Sequence, residues 1–175
     1  MCIGMAEKQS SKGKTVVIGL DGSENSMYAV DWYAKYVHRP DDFVILVYCV
    51  ELGDLLSSTD LYHSPNPDDL DAFKSILDHE VQKVDTKLEQ FSEHLLTLKL
   101  KGVVKSIQAS KPGEGILRVA KEEEAALIIT GTRGLGKLRR TLLGSVSDYL
   151  VHHSHVPVLV CRTKDKEKEK TKEKK

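Results

Sequence analysis

Residues 43–50 read F-V-I-L-V-Y-C-V, a run without a charge and without alternation between apolar and polar side chains. A strand with one wet face alternates with period two. An uninterrupted apolar run therefore belongs to a strand covered on both faces, the usual state of a strand inside a parallel sheet. Covering both faces requires helices, and the rest of the chain supplies them in alternation with further strands. Lys14 to Leu20 (K-T-V-V-I-G-L) is β-branched and stops at Asp21-Gly22-Ser23; Val103 to Ala109 alternates; Ala126 to Thr130 and Val156 to Cys161 are short and apolar. Five strands alternating with helices predict an α/β fold, an open five-stranded parallel sheet with helices on both faces and right-handed crossovers.

The helical segments announce themselves by period. After Ser23, a suitable N-cap, Met27, Val30, Tyr33 or Ala34, and Val37 share a face, and Pro40-Asp41-Asp42 ends the pattern. From Asp68, Leu70, Phe73, Leu77, Val81, Val84, Leu88, Phe91, Leu95 and Leu98 recur in steps of three and four. This predicts a long amphipathic helix stopped by Gly102, with the stripe facing the sheet rather than a coiled-coil partner. Pro112-Gly113 opens a shorter helix with Ile116, Leu117, Val119 and Ala120 on its apolar face, and Gly144 to His152 is another helical stretch. Glu51 to Pro67 reads as a polar loop, functional or disordered.

Length fits one domain: residues 14–162, preceded by a flexible N-terminal segment (1–13) and followed by a disordered Lys/Glu tail (163–175). The 26 basic and 26 acidic residues cancel, but Lys164 to Lys175 holds seven lysines and four acids, leaving the rest mildly acidic at 19 against 22. A globally basic nucleic-acid surface is excluded, and no apolar run reaches the ~20 residues that span a bilayer. Cys2, Cys49 and Cys161 form neither a disulfide framework nor a C-x-x-C metal site, and Met1 to Lys14 lacks a signal-peptide core. The expected setting is the cytoplasm.

Ligands of open α/β sheets bind beyond the carboxyl ends of the strands, in the loops after Leu20, Val50, Ala109 and Thr130. The loop after Thr130, G-T-R-G-L-G-K-L-R-R-T-L-L-G-S, combines Gly131, Gly134 and Gly136 with Lys137, Arg139 and Arg140, and Gly144-Ser145 then opens a helix whose free N–H groups favour an anion. Spacing separates the nucleotide-loop patterns. Gly131, Gly136 and Lys137 match G-x-x-x-x-G-K, but Leu138 stands where Mg²⁺ needs a hydroxyl, and Gly134-x-Gly136 is followed by Arg139 where a dinucleotide loop needs glycine. A glycine turn with a basic surface is the alternative without a ligand.

Gly131-x2-Gly134-x9-Gly144-Ser145 matches G-x2-G-x9-G-[S/T], and with the opening V-V-I-G-L-D-G-S, the Pro112 turn, Leu127-Ile-Ile-Thr-Gly and the closing V-P-V-L-V the chain resembles the ATP-binding branch of the universal stress protein (UspA-like) family from Thr15 to Arg162. The resemblance implies a Rossmann-like fold of the adenine nucleotide alpha hydrolase type and a nucleotide site. The family's acidic residue after the first strand falls at Asp21, to accept ribose hydroxyls; the alternative is capping beside Ser23. Main-chain groups reading the adenine edge fall at Cys49. Gly131 and Gly134 would let N–H groups reach the phosphates, Gly144, Ser145 and Val146 would close the cradle, and Ser147 is a weaker neighbour. Gly19 stands where many members carry Pro and is counted with the site, and Arg133 either pairs with phosphate or points to solvent. The implied ligand is ATP, with or without Mg²⁺, and the implied partner is a second copy paired through the final strand, Val156 to Cys161, in a homodimer.

No catalytic constellation stands out. His152, His153 and His155 read as a helix-end cluster rather than a metal site, Asp148 lacks triad partners, and Cys161 reads as small core filler. Three functions follow: a nucleotide-dependent stress-response regulator without strong catalysis, a slow ATP hydrolase using Asp21 or Ser145 to position water, or an interaction scaffold with incidental nucleotide.

Overall fold

The structure, a computed structural model, describes residues 13–50, 67–132 and 143–162. Its elements follow in the order β1 (Thr15–Leu20), α1 (Glu24–Tyr36), β2 (Phe43–Val50), α2 (Pro67–Thr97), β3 (Gly102–Gln108), α3 (Pro112–Glu122), β4 (Leu127–Gly131), α4 (Ser145–His153) and β5 (Val158–Cys161). The five strands form one sheet in the order β3-β2-β1-β4-β5, and every pairing is parallel. The expected architecture is therefore the observed one.

The apolar run of β2 is spent on both faces. Val44 and Leu46 join Val16, Ile18, Leu20 and Ile129 beneath α1 and α2, while Ile45 and Val47 join Val17 and Ile128 beneath α3 and α4. All nine of these strand residues other than Leu20 are fully buried, and each such aliphatic contributes roughly 1.5–3 kcal/mol relative to exposure. Ser23 caps α1 as expected, its Oγ accepting from the Ser26 N–H at 3.3 Å.

Two expectations need correction. The α2 stripe does not face the sheet along its length: Phe91 and Leu95 are buried, but Val81 is 57% exposed, and Val84 and Leu88 are only half-buried. Gly102 does not stop α2 either. The helix ends in a Schellman motif in which Leu100 N–H donates to Leu95 O, Lys99 N–H donates to Leu96 O, and Lys99 takes φ +54°. Gly102 instead lies in β3, where an added Cβ would stand 2.1 Å from the Val44 carbonyl oxygen, so it is needed for strand approach. α3 ends the same way, with Ala125 N–H on Ala120 O, Glu124 N–H on Lys121 O and Glu124 at φ +48°.

At the amino ends of β1 and β2 sits a closed polar network. Asp42, 1% exposed, accepts from the Lys14 and Arg39 N–H groups and from the Tyr33 hydroxyl at 3.0 Å, and its carboxylate meets the Lys14 ammonium at 3.1 Å. Burial alone would raise the Asp42 carboxyl; the Lys14, Arg39 and Tyr33 donors outweigh it and hold the group below its ordinary range. Burial and the Asp42 charge push the Tyr33 phenol up, so it stays a donor. The expectations for residues 1–12, 51–66 and 163–175 lie outside the described residues.

Candidate functional site

The sheet order reverses direction between β1 and β4, the place where an open parallel sheet leaves a crevice between loops that run to opposite faces. A cleft lies there. Gly19, Leu20 and Asp21 from the end of β1, Thr130, Gly131 and Thr132 from the end of β4, and Cys49 from β2 form its floor and one flank. Helix starts form the rest: Ser23, Asn25 and Ser26 of α1, Pro112 and Ile116 of α3, and Gly144, Val146 and Ser147 of α4. Three helix N-termini around one space favour an anion there, and no cationic side chain is among the described residues that line it.

These termini differ in how their N–H groups are used. α1 is capped by the Ser23 hydroxyl, and Asp21 Oδ1 accepts from the Ser23 N–H at 2.9 Å. Gly144 caps α4 with extended backbone (φ −66°, ψ 154°) and offers no side-chain acceptor to the first turn. The Ser147 hydroxyl, buried, turns back to the Gly144 carbonyl at 2.9 Å. The first turn of α4 therefore suits an external anion better than that of α1 does.

Seven of the sequence-derived site residues meet at this cleft: Gly19, Asp21, Cys49, Gly131, Gly144, Val146 and Ser147. Ser145 is exposed and does not line it. Arg133 and Gly134, with Lys137, Arg139 and Arg140, lie outside the described residues. Gly131 has a packing reason of its own, since a Cβ there would come 2.4 Å from the Asn25 carbonyl oxygen and 3.0 Å from the Ser26 nitrogen. A Cβ at Gly19 would meet only the tip of Ile116, at 2.6 Å, which a side-chain rotation relieves. Cys49 points its thiol at the Pro112 carbonyl, 3.6 Å away.

Asn25, Ser26, Thr130 and Thr132 line the cleft without having been singled out in the sequence. The N-cap at Ser23 was the available signal for the first two, because residues just inside a cap belong to the open turn. Thr132 N–H donates to the Cys161 carbonyl at 2.9 Å and ties the end of β4 to β5. Cys161 is buried and its thiol is pushed up to about 11, which suits packing rather than reactivity.

The cleft encloses about 70 Å³, roughly two waters' worth of liquid. It opens into a groove of about 690 Å³ with which it shares Asp21 and Cys49, the other walls being Tyr48 and Val50 of β2 and the middle of α2. The cleft alone is too small for a small-molecule site, whereas the groove it joins has the several hundred Å³ usual for one. The deep end suits a compact anion at the helix termini, and the outer end suits a larger, less charged body.

The histidine cluster near the end of α4 is engaged locally. His153 Nδ1 bonds the Tyr149 carbonyl at 2.9 Å and its ring stacks on Tyr149, and His152 lies 3.7 Å from Asp148. Among the described residues no group of three or more His, Cys, Asp or Glu is arranged to hold a metal, and no helix is long and apolar enough to cross a membrane.

Comparison with known proteins identifies the fold and the family. Universal stress protein MJ0531 of Methanocaldococcus jannaschii is 28% identical over 88% of this chain and 85% of its own. An uncharacterized Schizosaccharomyces pombe protein, C167.05, is 29% identical over 93% of this chain, which spans only 25% of that protein's length. A universal stress protein family protein of Arabidopsis thaliana, solved with AMP bound, superimposes with a TM-score of 0.59 at 19% identity, covering 88% of this chain and 94% of that one. A universal stress protein solved in complex with cAMP gives 0.58 at 21% identity, covering 88% and 100%. At such identities the two structures show a shared fold. The profile of the Universal stress protein family matches residues 13–162, and the chain belongs to that family.

Proposed function

We propose that this chain is an ATP-binding, nucleotide-dependent regulator of the stress-response type, without strong catalysis, and that residues 14–162 form its nucleotide-binding unit. The observation that carries the reading is the first turn of α4, capped by Gly144 without a side-chain acceptor, facing the β1/β4 crevice, with α1 and α3 beginning at the same cleft. The phosphates lie against Gly144, Val146 and Ser147, next to Gly131, and the sequence signature adds Arg133, Gly134 and Ser145 as candidate contacts. The ribose hydroxyls face Asp21, and the adenine lies by Gly19 and the Cys49 main chain toward the groove. Relatives of the same fold solved with AMP and with cAMP support an adenine nucleotide as the ligand class. The run of Lys137, Arg139 and Arg140 in the sequence favours the triphosphate over the monophosphate.

β5 is an edge strand, with Val158, Leu159 and Val160 half-buried in one copy of the chain. We infer that a second copy covers this apolar edge in a homodimer; a monomer mass by light scattering at micromolar concentration would remove that inference.

The nucleotide reading is tested directly. Protein denatured after purification releases ATP, identified by mass, and Gly144→Val abolishes calorimetric binding by filling the approach to the helix terminus while leaving the unfolding transition near that of wild type. Unchanged affinity in this variant would overturn the placement of the phosphates.

A further inference from the structure

The groove beside the cleft is not an indifferent surface. α2 presents Lys83 and Lys87 to it four residues apart, on one helical face, together with His79, Glu80, Gln82 and Gln90. The two lysines are held in different ways. Lys83 is neutralised by Glu80 at 2.5 Å, just as Lys14, Lys105 and Lys111 meet Asp42, Glu123 and Glu114. Lys87 instead rests on a neutral group: its ammonium bonds the Tyr48 hydroxyl at 2.9 Å and stands 4.9 Å from the centre of that ring. Among the described residues no carboxylate lies within ion-pair distance of it, although, after the Lys83 hydrogen bond, its charge helps to hold Glu80 below the ordinary range.

Tyr48 is itself braced against Phe91 of α2, ring centres 5.8 Å apart, so the ammonium is carried on a stiff support rather than a waving stem. Its position is also fixed relative to the cleft. A Cβ built on Gly22 would lie 3.9 Å from Lys87 Nζ, which puts the charge over the Asp21-Gly22 turn at the mouth joining cleft and groove. An ammonium has three donors, and Tyr48 takes one.

The geometry points to an anion subsite at Lys87 for a second phosphate on the ribose of the bound adenine nucleotide. It rests on the reading that the 5′-phosphates lie at α4 and the ribose hydroxyls at Asp21. Asp21 lines both spaces, so a ribose hydroxyl that faces it also faces the groove. A phosphate on the 2′ or the 3′ oxygen extends into that groove toward Lys87. Among the described residues the acidic groups lining the groove are engaged: Glu80 with Lys83, and Asp21 with the Ser23 N–H at the positive end of α1.

Calorimetry with AMP, adenosine 2′,5′-bisphosphate and adenosine 3′,5′-bisphosphate on the full chain tests this. One of the two bisphosphates binds about tenfold more tightly than AMP, the order expected of one charge-assisted contact, and which one identifies the oxygen that carries the phosphate. Lys87→Met removes that advantage, Lys87→Arg keeps it, and added salt shrinks it in wild type. Bisphosphates no tighter than AMP, while AMP binds, would overturn the subsite and leave the nucleotide reading standing. Lys87→Met weakening AMP and the bisphosphate equally would make Lys87 a support for the fold and also overturn it. Failure of AMP and ATP to bind at all would remove both readings.

Discussion

The two ends of the sheet treat an aspartate in opposite ways. At the amino ends, Asp42 is 1% exposed and its carboxylate is used up by Lys14, Arg39 and Tyr33. At the carboxyl ends, Asp21 is exposed, takes the Ser23 N–H, and stands where cleft and groove meet. The helices explain the asymmetry. Their C-termini arrive at the closed end, where the Schellman turns at Lys99 and Glu124 satisfy the last carbonyls internally. Their N-termini start at the other end, where the N–H groups of a turn capped by glycine still have room for an acceptor. A parallel sheet with helical crossovers thus concentrates what is finished at one end and what is unfinished at the other.

Removing the closed-end carboxylate has the largest expected effect. Asp42→Ala takes the shared acceptor from the Lys14 ammonium and the Tyr33 hydroxyl, leaving the latter only His38 Nδ1 at 3.2 Å, and costs about 3 kcal/mol in urea unfolding. The sign with pH follows from the lowered carboxyl. Its contribution is full above the ordinary value of 3.8 and is lost as pH falls through the lower folded-state value, so acid destabilises wild type more than Asp42→Ala. An acid profile identical in the two proteins would show that the network is not what separates the ends.

Gly131→Ala comes next and sharpens the contrast from the open side. Its Cβ would press on the Asn25 carbonyl, and a loss of about 2 kcal/mol in stability is expected even without ligand. Asp21→Ala should behave inversely to Asp42→Ala: stability within about 0.5 kcal/mol of wild type, but ATP affinity about tenfold lower, or about 1.4 kcal/mol. If Asp21→Ala unfolds the protein as readily as Asp42→Ala, the division between the two ends fails. The smallest effect is a gain. Glu124→Gly relieves a left-handed residue at the closed end and should raise stability by about 1 kcal/mol with no change in nucleotide affinity, read by thermal unfolding and calorimetry.

Much of this was legible in the residues because the signals were local. The eight-residue apolar run of β2 demanded two covered faces, and Ser23 marked the start of α1. The illegible parts depended on what lies opposite in space. Nothing in the period of α2 says where its cover by the rest of the fold ends, so a stripe that is uniform in sequence is, among its described positions, buried only at Phe91 and Leu95. Gly102 looked like a helix stop because glycine often is one, whereas the fold uses it beside Val44 and gives the left-handed position to Lys99. At the site, glycines and cations drew notice, but Asn25, Ser26, Thr130 and Thr132 are ordinary polar residues whose role appears only when two strand ends come together.

The contact between Gly131 and the Asn25 carbonyl bears on how such proteins diverge. A protein of this fold with an empty crevice would still be held to glycine at this place, because the seam between β4 and α1 closes there whatever the crevice contains. Persistence of the first glycine is then a record of ancestry rather than of use. At Gly144, by contrast, a side-chain acceptor would compete with an anion for the start of α4, so that position bears on what the crevice can hold.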